Sequence, residues 1–470
     1  LLENDTGSIA PGAALAERIA DVLAVLRLDN IPMEAREIAV NDLIDMAGLC
    51  VATRDADYIR VLIEASDDAG KCTAIGHARG FDAATAALIN GTATHGEDFD
   101  DTLEGAPIRV GAMVLPAVLA AAQRFERSGA DTLKGIVAGL EMVCRFNTIV
   151  PGAIHKAGFH PVGIIGALGA TAGVGVTLGL DRKQLTDAFG IAGSFASGIG
   201  EFLTEGAWTK RLHPGWAAQS GYRAALLGRA GFFGPRTVFD GPRNVFKVFS
   251  QSAPADRHAV IAGLGEKWLM QAIAFKPYAC GTMIHPFIDC MLRLRETGID
   301  ADSIVSIESE TSEGLVDRLW EPLAAKYRPP SGYAAKFSMP FCMAVAFLEG
   351  DAGLEQFSDA KAADSRVLEL AGKIRYVIDS ANEYPKNYTG HIRASLRDGT
   401  EIEFRQPHFR GGVREPLTRD QLIGKFRGNI AHGRGSIEYG QALLDFCLNI
   451  AKHKDLSVGL AGIGLCGESA

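Results

Sequence analysis

Residues Pro161 to Leu180 read PVGIIGALGATAGVGVTLGL, a run without a single charge. At about 20 residues it is long enough to span a membrane, and equally suited to a helix buried on every side in a protein core. His160 abuts one end, and Asp181, Arg182 and Lys183 open an ordinary amphipathic helix at the other. Glycine and alanine dominate the run, which suits helices packed backbone to backbone. It therefore reads as the central helix of a helical core, and no membrane partner is expected.

The flanking sequence agrees. From residue 11 to about 268, AALAERIADVLAVLRL, EAREIAVNDLIDMAGLCVA, AATAALINGTATH, VLPAVLAAAQRFERSG, TLKGIVAGLEMVCRFN and RKQLTDAFGIAGSFASG place apolar residues at three- and four-residue steps. Gly, Pro and Asn punctuate between them. After about Ala274 the pattern changes. DSIVSIESETSEGLV alternates like a half-buried strand, IRYVID reads as another, and HIRASLRDGTEIEFRQP is a hairpin around Asp398-Gly399. Helical patterns occur at SMPFCMAVAFLEG and DSRVLELAGK, and TRDQLIGKFRG and SIEYGQALLDFCLNIAKHK return to helix. A chain of 470 residues exceeds the usual span of one core. The prediction is a mainly α protein, with a large all-helical domain from residues 1–269 and 401–470 and a smaller inserted α+β lid domain at 270–400. A cleft between domains is the expected place for a small-molecule site.

A net charge of −9 with acids and bases intermixed argues against a nucleic-acid partner. The eight cysteines show no C-x-x-C pair and no zinc-like spacing, as expected of reduced thiols in a cytoplasmic protein. The start, LLENDTGSIAPGAALAERIADVL, has acids where a signal peptide carries positive charge. GIGLCG, Gly462 to Gly467, fits G-x-G-x-x-G but has no βαβ unit to follow, so no dinucleotide cofactor is expected.

Chemistry concentrates in THGEDFDDTLEGAPIRVGAMVLPA, Thr94 to Ala117, where Glu97, Asp98, Asp100 and Asp101 crowd together. A helix over Asp82 to Thr94 puts this cluster at its carboxyl end, unfavourable by about 0.3–1 kcal/mol for each nearby charge. Something else must hold the acids there. Glu97 and Asp100 read individually as solvated loop acids. Asp100-Asp101-Thr102-Leu103-Glu104 matches the D-D-x-x-E pattern of magnesium-binding isoprenoid synthases. That fold needs a second acidic cluster on a partner helix, for which NDLIDMAGLC is a poor candidate, and no metal is expected. The other reading is a carboxylate that orients or charges a nearby Lys or His.

The basic candidates are His160 in AGFHPVGIIGALGA, Lys210, Arg211 and His213 in a Gly-bounded turn of EGAWTKRLHPGWAAQSG, and Lys276, Tyr278 and His285 in FKPYACGTMIHPFIDC. With Arg109 they supply cations and imidazoles suited to a polycarboxylate. His95, His155 and His213 are read as structural.

In chain order, NGTATHGEDFDDT, VLPAVLAAA, GFHPVGIIGALGAT, AWTKRLHPGWAAQSG, FKPYACGTMIHP and AKFSMPFCMAVAFLEG resemble the MmgE/PrpD family over about residues 10–455. That family includes 2-methylcitrate dehydratase, cis-aconitate decarboxylase and iminodisuccinate epimerase. The resemblance implies a homodimer, no metal or organic cofactor, and an active site lined by Asp98, Thr102, His160, Lys210, Lys276 and His285. The implied chemistry is proton transfer at a carbon next to a carboxylate, whose developing enediolate charge needs cations held ready in a water-poor site.

Three positions depart from the family pattern. Arg109-Val110-Gly111 stands where the family commonly has His-Pro-Ser, and the decarboxylase branch has His at Gly281 and Tyr at Phe341. Each departure removes a proton-handling group, so decarboxylation loses support; Arg instead clamps carboxylates. The expected function is a cofactor-independent epimerase of a di- or polycarboxylate such as iminodisuccinate. In that reading His160 and Lys210 transfer protons, with His285 or Tyr278 as substitutes. Arg109, Lys276, Arg211 and Thr102 bind substrate, and Asp98 keeps a lysine charged. The alternatives are a 2-methylcitrate-type dehydratase and a non-catalytic helical binding protein that kept the fold.

Overall fold

The charge-free run is a helix buried along its whole length in the computed structural model of the protein. The structure describes residues 12–67, 69–106, 108–252 and 257–461, so the first eleven residues and the GIGLCG stretch lie outside the described residues. Two units are distinguished. One takes in the chain up to Gly96, Asp100–Ile273 and everything from Arg419 onward; the other consists of Glu97–Phe99 and Ala274–Thr418.

The core helices of the first unit are α1 (Met33–Ala52), α2 (Ala83–His95), α3 (Gly111–Arg124), α4 (Gly129–Ile149), α5 (Pro161–Leu178), α6 (Arg182–Phe195) and α7 (Thr209–Arg229). The apolar run is α5, and α3, α4, α6 and α7 all pack against it. His160 precedes its first turn, Pro161 supplies the preset φ of a helix start, and Gly179 in the left-handed region (φ 67°) ends it. Burial against other helices, on all sides, accounts for its lack of charge.

Glycine sets the helix spacing. A Cβ on Gly173 of α5 would sit 3.0 Å from the Gly135 carbonyl oxygen of α4, and one on Gly139 would sit 3.0 Å from that of Gly169. The crossing of α2 with α7 is closer still. A Cβ on Gly91 would lie 2.7 Å from the Cα of Gly215, and one on Gly215 would lie 2.1 Å from the Leu88 carbonyl oxygen. This contact fixes the distance between the end of α2, which carries His95, and the start of α7, which carries Lys210 and His213.

On α4 the buried Arg145 donates from Nε to Glu141 at 2.5 Å and from its two Nη atoms to the carbonyls of Val260, Ala262, Gly263 and Lys267. Glu141 in turn accepts the N–H of Met270 at 2.9 Å. A buried charge is tolerated because every donor has an acceptor. The helices Arg419–His432 and Ile437–Leu448 close the unit by packing on α1.

Two details differ from the sequence reading. Lys210, Arg211 and His213 lie in the first turns of α7 rather than in a loop. Gly206 (φ 68°) ends the short helix Phe202–Glu205, and the chain re-enters helix at Thr209. Residues 11–268 are also not purely helical, since Ala69–Thr73 and Gly80–Phe81 pair as an antiparallel ribbon. The stretch after Gly96 is a turn and a two-residue strand, Thr102–Leu103.

In the second unit, β1 (Ile304–Thr311), β2 (Ile374–Ile378), β3 (Gly390–Leu396) and β4 (Glu401–Gln406) form one sheet in the order β2-β1-β3-β4. Only the β1/β2 pair is parallel. Ile307 faces Ile374 on one neighbour and Ala394 on the other, all fully buried. The hairpin turns at Asp398-Gly399, where Gly399 takes φ 85°. Of its helices, α8 (His285–Glu296) packs on β3 and β4, α9 (Met339–Glu349) packs on α8, and α10 (Ser365–Ala371) packs on α9. A boundary at residue 400 would separate β3 from β4; the unit continues to Thr418, and the Phe275 N–H donates to the Gly411 carbonyl within it.

Gly91→Ala is expected to lower stability by about 1–3 kcal/mol through overpacking at the α2–α7 crossing. A urea melt checks this: the midpoint falls and the slope stays the same.

Candidate active site

The helix α2 begins at Asp82, whose carboxylate accepts the N–H groups of Ala84 and Thr85, and ends at His95. His95 Nδ1 lies 2.8 Å from Asp100 Oδ2. A carboxylate only accepts, so the ring donates there, and a neutral imidazole then carries no proton on Nε2. That Nε2 is buried and has no hydrogen-bond partner among the described residues. The other oxygen of Asp100 is 3.4 Å from Arg109 Nε, and Arg109 Nη1 donates to Thr102 Oγ1 at 2.9 Å. Asp100 is 1% exposed. The expected solvated acid is instead the joint between an imidazole and a guanidinium.

His160 faces the same group of residues. Its N–H donates to the Gly198 carbonyl at 2.9 Å, and its Nδ1 lies 3.0 Å from His213 Nδ1. The His95 ring is 5.9 Å away and Phe202 5.4 Å. Burial holds the His160 imidazole well below its ordinary pKa, and His95, His213, Lys210 and Arg109 press in the same direction. His213 is pushed down to about 4, by burial first and His95 second. Both rings are therefore neutral near pH 7, with one proton between their Nδ1 atoms. Lys210 stands half-buried in the first turn of α7. Arg211, expected to bind substrate, lies with its guanidinium 4.4 Å from the centre of the Tyr58 ring, a cation–π packing contact. His155 is exposed on the short helix Ala153–Lys156.

The acid cluster finds its explanation in the helix that follows it. Asp101 accepts the N–H groups of Val110 and Gly111 at 2.9 and 3.0 Å, at the start of α3. An anion there meets the positive end of the helix dipole. Asp42 of α1 packs against the same spot, since a Cβ on Gly111 would lie 2.3 Å from its Oδ1. Burial first, and the charge of Asp100 second, raise Asp101 to about 7 despite its two N–H bonds. Asp42 is raised well above the carboxylate range by burial and by Asp101, Asp45 and Asp100. The NDLID helix thus brings an acid to the cluster that the sequence reading discounted. Asp100 is engaged by His95 and Arg109, and Asp101 by the backbone.

Within the α+β unit, Asp98 adopts the left-handed region (φ 55°), which aspartate tolerates better than most residues. Lys276 is fully buried, and its Nζ donates to the Asp98 carbonyl at 2.5 Å, Asp98 Oδ1 at 3.3 Å and the Cys280 carbonyl at 3.0 Å. Asp98 does hold a lysine, as expected. Lys276 as a substrate clamp is corrected, because its three hydrogens already face three acceptors. Glu97 is engaged by Lys336, which donates to its carboxylate at 2.7 Å and its carbonyl at 2.8 Å. Lys336 was missed, although it stands inside the AKFSMPF motif.

Tyr278 donates to Asp289 at 2.6 Å and accepts from Arg410, which also donates to Asp289 at 2.9 Å. Burial, helped by Asp289, pushes the phenol far up. Tyr278, expected as a substitute proton carrier, is thus engaged by Asp289 and Arg410. His285 is fully buried between the rings of Tyr278 and Phe409, and its Nε2 lies 3.3 Å from the Cys280 carbonyl.

The MmgE/PrpD N-terminal domain matches residues 17–258, and the MmgE/PrpD C-terminal domain matches residues 278–445. The chain belongs to the MmgE/PrpD family. Among its relatives, the cis-aconitate decarboxylase of Aspergillus terreus is 25% identical over 431 residues, covering 86% of each chain. The mouse (Mus musculus) cis-aconitate decarboxylase is 28% identical over 356 residues, 73% of this chain and 71% of its own. The human (Homo sapiens) one is 28% identical over 383 residues, covering 79% and 78%.

In this MmgE/PrpD chain the helical unit brings together His95, Asp100, Thr102, Arg109, His160, Lys210 and His213, whereas Asp98, Lys276, Tyr278 and His285 belong to the α+β unit. His95 and His213 had been read as structural. Their sequence signal was proximity to the family motifs, and no periodicity distinguishes a pocket imidazole from a core one.

The buried acids generate a prediction with a definite sign. A carboxyl group whose folded pKa is raised binds its proton more tightly when folded, so its contribution to stability declines between the unfolded pKa, 3.8 for Asp101, and the folded value of about 7. The depressed histidines act oppositely, so the comparison must be differential. Asp42→Asn is expected to gain stability relative to the unmodified chain as pH rises from about 4 to about 7. Urea denaturation at pH 5 and pH 7.5 checks it.

Proposed function

We propose that the protein is a lyase of the MmgE/PrpD family that eliminates water from a hydroxy polycarboxylate, beginning with loss of a proton from a carbon next to a carboxylate. One observation carries this reading. The helical unit holds two neutral, buried imidazoles, His160 and His213, beside the charges of Lys210 and Arg109. Neutral imidazoles move protons at pH 7, and fixed cations in a water-poor site stabilise the enediolate that forms.

Arg109, anchored by Thr102 and Asp100, takes a substrate carboxylate. Lys210 faces the leaving oxygen or the enediolate, and His160 hands protons on. No metal or organic cofactor is needed for these steps. The epimerase expected from the sequence gives way, because the relatives matched are decarboxylases and thus support bond-breaking chemistry. Their names also favour a second reading, decarboxylation of an unsaturated tricarboxylate, against which Arg109, Gly281 and Phe341 still stand. A binding protein that lost its chemistry would show no turnover at all.

Incubation with hydroxy and unsaturated polycarboxylates in heavy water decides among these readings. The lyase reading expects alkene absorbance from a hydroxy acid without release of carbon dioxide. Carbon dioxide from an unsaturated acid would establish the second reading, and deuterium at the α carbon without an alkene would restore the epimerase. Arg109→Ala is expected to raise KM and lower kcat/KM by about 10- to 150-fold, the equivalent of one charged hydrogen bond. Arg109→Lys should recover only part of the loss, which steady-state kinetics will read.

A further inference from the structure

We propose that His95 is a catalytic residue of this enzyme, its Nε2 being the base that receives the proton from the carbon next to the substrate carboxylate. The inference rests on the lyase reading and identifies the group that starts the reaction.

Three observations lead to it. Asp100 fixes the tautomer: its Oδ2 lies 2.8 Å from His95 Nδ1, so in the neutral ring the proton sits on Nδ1 and the lone pair on Nε2. That lone pair is buried and has no donor among the described residues. Buried polar atoms in native folds nearly always have partners, and an orphan next to neutral imidazoles and fixed cations is the mark of a position that a ligand completes. The third observation compares the two rings that could take the proton. His95 is the last residue of α2, and its Nδ1 is bonded to the Asp100 carboxylate. His160, 5.9 Å away, is surrounded by His95, His213, Lys210 and Arg109, all of which disfavour a charge on it. Of the two rings, His95 is the one with a buried nitrogen that no described residue engages.

The step balances simply. The C–H bond breaks, its electron pair delocalises into the adjacent carboxylate, and the proton goes to Nε2. The Nδ1–H stays on Asp100, and the anion faces Arg109 and Lys210.

Two measurements test this. Histidine-selective ¹⁵N labelling at pH 7, with His95 assigned from the spectrum of His95→Asn, is expected to show a protonated Nδ1 and a bare Nε2. A protonated Nε2 in the free enzyme would overturn the proposal. His95→Asn keeps an amide N–H for Asp100 but has nothing at the Nε2 position. With citrate in heavy water it should lose deuterium exchange at the α carbon by about 100-fold or more, while citrate binding changes by only a few fold. Exchange at the wild-type rate overturns the role of His95 alone. Wild-type enzyme that exchanges without eliminating overturns the lyase reading alone. If that variant does not fold, His95→Gln supplies the assignment and citrate titrated into labelled wild-type enzyme decides, because the Nε2 resonance must move on binding; no movement refutes the proposal.

Discussion

Direct backbone contact between helices is the constraint on which the helical unit depends. At the crossings of α2 with α7 and of α4 with α5 there is no room for a Cβ, so the separation is set by the width of two main chains rather than by compressible side chains. Catalytic geometry tolerates little displacement, and this arrangement leaves little to happen. His95 follows Gly91 by one turn on α2, and His213 precedes Gly215 on α7. The imidazoles inherit their spacing from the glycines.

That packing also sets the electrostatics. Removing water from His160 and His213 keeps both rings uncharged beside the cations Arg109 and Lys210. Three neighbouring acids have three separate tasks. Asp100 orients an imidazole, Asp101 starts a helix, and Asp98 is bound by a lysine. A run of negative charge in one short turn is thus divided among partners that each need one carboxylate, and little of it faces solvent.

Much of this was legible in the sequence. The uncharged run announced a helix buried on all sides, alternation marked β1 to β4, and Asp398-Gly399 marked the hairpin. The resemblance to the MmgE/PrpD family pointed to His160, Lys210 and the DFDDT turn. What stayed hidden depends on pairs distant in the chain. The NDLID segment looks like any amphipathic helix until α1 lays Asp42 against Gly111. Tyr278 and Lys276 look available until Arg410, Asp289 and Asp98 engage them. His95 looks like a helix-end residue until its turn brings Asp100 back to it. Sequence spacing shows which groups share a turn, but not which of them are already bonded.

The Arg145 hub has a consequence for how the chain can vary. Its Nη atoms reach only main-chain carbonyls between Val260 and Lys267, which every amino acid possesses. These four bonds therefore ask nothing of the side chains at the positions that accept them. They ask much of the arginine, because no other side chain offers a planar fan of donors wide enough to grip a loop by its backbone.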